Sequence, residues 1–305
     1  MNLTPFLKRI DKIDKNLASA EVQRQISEVD EDLKKLIRSI PVHQTKLTWI
    51  DVQLGHIGEF SFPSFKKGEA SSIDTFCSAD LFVFLSYYEN RMSNNIFIDI
   101  GSNIGLHTLV AKLCGYKTIA FEPDPDTYLI GKLFLEKNSI AIQCINSELV
   151  SEDLDCSIES AYIQAAALDK YSKKKFVKLL DNPFGNHIEG LKENVYGNID
   201  EIIVKTIDIN KFINKSYTAK LDAEGSDSII FTQLIKNQNF NKHYNTIYLC
   251  DWRDETRSDI FKAFKNIKAK VEYGPNSNSK IESLLDTPKN KSTDYIKVKS
   301  ELINE

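Results

Sequence analysis

Between Phe6 and Ile40 the apolar residues recur in alternating steps of three and four: Phe6, Ile10, Ile13 and Leu17, then Val22, Ile26, Val29, Leu33, Leu36 and Ile40. That spacing predicts helix carrying a single apolar stripe. The phase slips near Ala18 to Ala20 and Pro41 stops the run, so residues 1–41 read as two helices or one with a stutter. The stripe either packs on its own domain or serves a partner, and a homodimer through these helices is one form of the second reading. From residue 42 to 75 the period falls to two in "KLTWIDVQL" and "GEFSFPSF", which predicts short strands or a hairpin. "ADLFVFLSYYEN" then reads as an aromatic-rich helix, and residues 42–93 together as a lead-in that could cover one side of a pocket.

From Ile96 onward apolar runs alternate with helical stretches. "IFIDI" precedes the helix "GLHTLVAKLCG", and "KTIAFE" precedes "DTYLIGKLFLEKN". "AYIQAAAL", "KKFVKLL", "EIIVKTI", "YTAKLDAEG" and "TIYLCDW" follow. Buried strands that alternate with helices predict an α/β fold with a mostly parallel sheet and helices on both faces. Ligands of such sheets sit beyond the carboxyl ends of the strands, so the residues ending each run are the ones to examine. The domain spans residues 94–275, and 276–305 reads as a polar tail without assigned chemistry.

Composition removes several classes of function. The 305 residues carry a formal charge of −4 with lysines scattered among acids, so no basic stripe marks a nucleic-acid partner. No apolar run approaches the roughly 20 residues that cross a bilayer, and the charged start "MNLTPFLKRIDKIDKN" is unlike a signal peptide. A cytoplasmic protein is the expectation. Five cysteines, Cys77, Cys114, Cys144, Cys156 and Cys250, are widely spaced without a CxxC pair and predict neither a disulfide framework nor a zinc site.

The most informative stretch is Gly101-Ser102-Asn103-Ile104-Gly105, preceded by Asp99 and followed by the acid Glu122 at the end of the next strand. In a dinucleotide fingerprint a second glycine lets the main chain approach a pyrophosphate, and Asn103 stands in its place. Glu122 is placed to accept hydrogen bonds from two ribose hydroxyls. The pattern therefore suits an adenosine-bearing cofactor without a pyrophosphate, and S-adenosylmethionine is such a molecule.

"FIDIGSNIGLHT", "IAFEPDPDTY", "AAALDKYSKKKF" and "AKLDAEGSD", in that order over residues 94–252, resemble the FkbM-type class I methyltransferases. The resemblance implies a Rossmann-like fold with a seven-stranded sheet, S-adenosylmethionine as cofactor and methyl transfer to a hydroxyl. The acceptor would be a sugar of a surface polysaccharide or glycoconjugate, or else a small natural product. It also implies that Asp99, Gly101, Asn103 and Gly105 form the cofactor turn, that Glu122 binds ribose, and that Ala166 and Asp169 border the adenine. The interval 139–160 and the segment "CDWRDETR" depart from the family pattern.

Methyl transfer to a hydroxyl needs alignment, exclusion of water and a base. Asp222 and Glu224 lie two apart after a buried strand and leave it on the same side. One would face the acceptor while the other orients it; alternatively Glu224 caps the next helix, with Lys220 as a surface partner. His107, in the first turn after the glycine turn, could reach the acceptor or the cofactor carboxylate. His187 lies in the polar loop "DNPFGNHIEG", which faces the acceptor or is plain surface. Asp251, Arg253 and Asp254 could join Asp222 and Glu224 around a divalent cation or form ordinary ion pairs, and no metal is assigned. Two other classes stay open: a nicotinamide oxidoreductase and a non-catalytic binding module.

Overall fold

The computed structural model describes residues 1–14, 19–43, 46–68, 70–92, 96–180, 185–192, 197–213, 215–237, 240–250, 259–260, 262–263, 267–273 and 295–302. The amino-terminal stripe forms two helices, α1 (Thr4–Asp11) and α2 (Ser19–Arg38). Leu7, Ile10, Val22, Ile26, Val29 and Leu33 are all buried within the chain's own core. The stripe that a homodimer would have used is thus spent on the domain itself. An antiparallel hairpin of β1 (Thr48–Gln53) and β2 (Glu59–Ser64) follows, then the small pair β3 (Lys66–Lys67) and β4 (Ala70–Ser71). Helix α3 (Ser78–Asn90) buries Leu81, Phe82, Val83, Phe84, Leu85 and Tyr87, because neighbours cover it on more than one side. It packs on α1, α2 and the later α4.

The main sheet is built from β5 (Ile96–Ile100), β6 (Lys117–Phe121), β7 (Gln143–Ile145), β8 (Ala161–Ile163), β13 (Tyr217–Leu221), β14 (Thr246–Leu249), β15 (Ala269–Tyr273) and β16 (Ile296–Ser300). Its order is β15-β16-β14-β13-β5-β6-β8-β7. Six neighbouring strands from β14 to β7 run parallel, and β16 runs against both β14 and β15. The Rossmann-like, mostly parallel sheet read from the sequence is present, with eight strands among the described residues where seven were expected. The stretch expected to be a polar tail supplies β16: Ile296 and Val298 are fully buried, as alternation on a half-apolar strand allows.

Period-two alternation divides the core between the two faces of this sheet. Phe97, Ala120, Tyr162 and Tyr248 point to one side, with α1, α2, α3, α4 (Leu106–Leu113) and α5 (Pro125–Lys137). Ile98, Ile100, Ile119, Phe121 and Ile247 point to the other, with α6 (Asp227–Lys236). The second face also meets a four-stranded sheet, order β11-β10-β12-β9, of β9 (Ala166–Leu168), β10 (Ser172–Leu179), β11 (His187–Ile188) and β12 (Ile199–Asp208). At β5 the chain order reverses, with β6 on one side and β13 on the other, which makes its carboxyl end the expected ligand crevice. No helix among the described residues is long and apolar enough to cross a membrane.

Candidate functional site

A cavity of about 760 Å³ opens at that carboxyl end. Its floor is the glycine turn. Gly101, Asn103 and Gly105 all have positive φ (68°, 52° and 83°), so the chain doubles back sharply before α4 begins. Gly101 cannot be replaced cheaply, since a Cβ there would stand 1.9 Å from the Asp222 carbonyl oxygen. Asn103 in the left-handed region is one of the few side chains that tolerate it.

Glu122 organises the β6 side. Its Oε2 accepts the Asn103 amide at 2.9 Å and its Oε1 accepts the Asp124 amide at 2.8 Å. One carboxyl group thus ties the glycine turn to the "FEPD" turn at the wall of the cavity it lines, and when ionised it has a further acceptor lone pair on each oxygen. Burial pushes its pKa up to about 8, against the lowering effect of the Asp124 and Asn103 amides. Asp124 caps α5 through the Asp126 amide, and it holds Lys178 at 3.0 Å and Asn186 at 2.7 Å. Those contacts bring the β10–β11 arm over the cavity, where Phe176, Asn186 and Ile188 join its wall.

The β13 side is charged. Lys220, which the sequence suggested as a surface partner, is buried with 3% of its side chain exposed. Its Nζ donates to the Gly101 carbonyl at 2.9 Å and lies 3.3 Å from Asp222 Oδ2 and 3.7 Å from Asp99 Oδ1. Burial acts to lower its pKa, but Asp222 and Asp99 outweigh that and hold the ammonium above the usual lysine value. Asp99 is fully buried, with Thr108 donating to Oδ2 at 2.7 Å and, among the described residues, no hydrogen bond to Oδ1. Asp222 is the more open partner and faces the cavity. Glu224 lines it too, at φ 47°, with Lys192 at 2.7 Å. Glu224 does not cap α6. Asp227 orders that turn instead, accepting the Ala223 and Gly225 amides at 3.1 and 3.3 Å.

His107 lines the third wall, gripped at both ring nitrogens. Nδ1 lies 3.0 Å from the Tyr87 hydroxyl and Nε2 3.2 Å from Asp80 Oδ1. A carboxylate only accepts, so the neutral ring carries its hydrogen on Nε2 and accepts from Tyr87 at Nδ1. Asp80 lines the same wall, and Asp30 and Lys34 bring α2 to it.

The structure therefore gathers Gly101, Asn103, Glu122, Ala166, Asp222, Glu224 and His107 around one space, while Asp99 lies beneath it against Lys220 and Gly105 starts α4 behind it, neither lining the cavity. It leaves out Asp169, which follows the end of β9, is exposed and does not line the cavity. His187 is not a surface residue: it is buried, its Nδ1 donates to the Gly185 carbonyl at 2.9 Å, and its neighbours Asn186 and Ile188 reach the cavity instead. Asp251, Arg253 and Asp254 lie outside the described residues. Lys220, Asp80 and Tyr87 were missed. For Lys220 a signal existed, because a lysine inside "YTAKL", a run with no solvent-facing alternation, has to find partners where it is.

No family model matches the chain, and no curated protein matches it. Solved structures do. Methyltransferase FkbM from Methylobacillus flagellatus KT is 10% identical with a TM-score of 0.38, over 68% of this chain and 44% of that one. A SAM-dependent methyltransferase from Agrobacterium tumefaciens is 7% identical with a TM-score of 0.45, over 87% and 72%. An rRNA methylase from Streptococcus thermophilus is 9% identical with a TM-score of 0.37, over 74% and 97%. The chain spans less than half the length of the first of these.

The residues present fit a nucleoside carrying a short charged chain. Glu122 offers two acceptor lone pairs at the β6 end, the glycine turn leaves room along β5, and Asp222 with Lys220 forms a polar end at β13. A diphosphate fits poorly, since the Asn103 amide is already committed to Glu122 and the acids outnumber the lysines on the walls.

Proposed function

We propose that the chain is an S-adenosylmethionine-dependent methyltransferase acting on a hydroxyl oxygen, with an uncharged sugar of a glycan or small glycoconjugate as the acceptor class. The observation that carries this reading is Glu122, a buried carboxylate that couples the two cofactor turns through two amides and still lines the cavity. In this reading Glu122 holds the ribose hydroxyls, the turn from Gly101 to Gly105 passes beneath the nucleoside, and Ala166 contributes to an apolar wall. The bound cofactor supplies a methyl group on a positively charged sulfur.

What the chain itself does is place the acceptor and take its proton. Asp222 is the open carboxylate at the β13 end. Glu224 is held by Lys192 on the α6 turn, and His107 is oriented by Tyr87 and Asp80. The β10–β11 arm and α2 add walls to the space, and displacement of water by a bound cofactor and acceptor would strengthen each of these electrostatic contacts. Asp30, Asp74, Asp80, Asp222 and Glu224 against Lys34 and Lys220 make the walls acidic, so phosphate-bearing acceptors, nucleic acids included, are disfavoured.

Calorimetric titration tests the reading. S-adenosylmethionine and S-adenosylhomocysteine are expected to bind with micromolar Kd and NAD or NADP not to bind. Glu122→Ala should weaken both sulfur compounds by roughly tenfold or more, the scale of losing hydrogen bonds to a charged group. A preference for NAD, or no binding of either sulfur compound, would sink it.

A further inference from the structure

Register places Asp99 of β5 directly opposite Lys220 of β13, and Lys220 opposite Tyr248 of β14. Facing residues on neighbouring strands hold their side chains side by side on one face. This puts a buried acid and a buried lysine together beneath the glycine turn, with Asp222 as a second acid two residues on. The three ionised groups leave one surplus negative charge at the β13 end of the cavity. Glu122 stands on the far side of β5, at the end of β6. A nucleoside whose ribose is held at Glu122 and which follows the turn across β5 carries its other half toward this charged group.

Resting on the methyltransferase reading above, we propose that Lys220 is a positioning residue that sets the charge at the sulfur end of the site, restraining its preference for the sulfonium substrate over the neutral thioether product. The physical reason lies in the reaction. The sulfur is positive before transfer and neutral after it, so a site with two uncompensated acids would stabilise the starting state more than the transition state. Lys220 offsets one of those acids. Its bond to the Gly101 carbonyl keeps the compensating charge locked to the turn rather than free to leave with solvent.

The test compares binding of S-adenosylmethionine and S-adenosylhomocysteine by calorimetry, with no acceptor present. Lys220→Met should raise the affinity ratio of sulfonium to thioether roughly tenfold, the scale expected for one charge within a few ångströms in a partly buried site. Asp222→Asn should lower it by a similar factor, and Lys220→Arg should leave it near wild type. A merely structural lysine, or one that grips the carboxylate shared by both compounds, would weaken both equally and leave the ratio unchanged, which overturns the proposal. If Lys220→Met fails to give a cooperative melt, Asp222→Asn decides alone, since Asp222 is 41% exposed and Lys220 keeps Asp99 as a partner when it is changed. Wild-type protein that binds neither compound would instead overturn the methyltransferase reading itself.

Discussion

Two residues illustrate how far single positions determine this site. Glu122 is buried with its pKa raised to about 8, so its neutral form is favoured by the fold and its ionised form by any ligand that donates hydrogen bonds to it. A raised pKa contributes stability that is complete below the unfolded value of 4.5 and is lost as pH rises through about 8. Thermal melts should therefore fall between about pH 4.5 and pH 8 in the wild type, less so in Glu122→Gln, while the Kd for S-adenosylmethionine should tighten as pH rises toward about 8. A flat profile in both assays would contradict the assignment. Asp124, whose carboxylate is neutralised by Lys178, and Lys220 across β5 are the charged groups that also act on Glu122. Gly101 is the second case. Gly101→Ala meets the Asp222 carbonyl at 1.9 Å as well as an unfavourable φ, whereas Gly115→Ala meets nothing within 4 Å. Denaturant unfolding should show a loss of about 3 kcal/mol or more for the first and about 1 kcal/mol for the second.

At the scale of elements, the helical stripe of residues 1–41 was legible and its destination was not. Periodicity states that one face is apolar and is silent on whether the facing surface belongs to the same chain. Here Leu33 and Val29 of α2 lie in the same core as Leu81 and Phe84 of α3. Leu33→Ala should cost roughly 2–5 kcal/mol in chemical denaturation, as for other fully buried leucines. A loss below 0.5 kcal/mol would place that face outside the core. The strand β16 shows the opposite limit. "IKVKS" has only two large apolar residues and sits in a polar neighbourhood, so nothing local marks it, yet its partners Thr246–Leu249 and Ala269–Tyr273 make it an interior strand. Asp169 fails for a related reason. The apolar run "AAAL" was visible, but that the strand ends at Leu168 and turns the next residue outward depends on pairing with β12, almost 40 residues away.

For the molecule as a whole, the motifs found the crevice because parallel sheets bring the carboxyl ends of β5, β6 and β13 to one edge whatever their distance in sequence. Gly101, Glu122 and Asp222 are therefore assembled by topology alone. The walls contributed from outside that edge, Asp80 from α3 and Asp30 from α2, follow from tertiary packing and carry no local signature. The order in which strands occupy the sheet has a temporal consequence. Strand β15 pairs with β16 alone among the described strands, and β16 is inserted between β15 and the earlier β14. During synthesis β15 thus emerges before the one neighbour it joins among the described strands, and the lysine-bearing segment 296–300 must emerge and insert before the sheet reaches its full width. Non-local pairing of this kind closes late, so on a ribosome the carboxyl edge holding Glu122 and Asp222 can form while the opposite flank of the sheet is still waiting for its central strand.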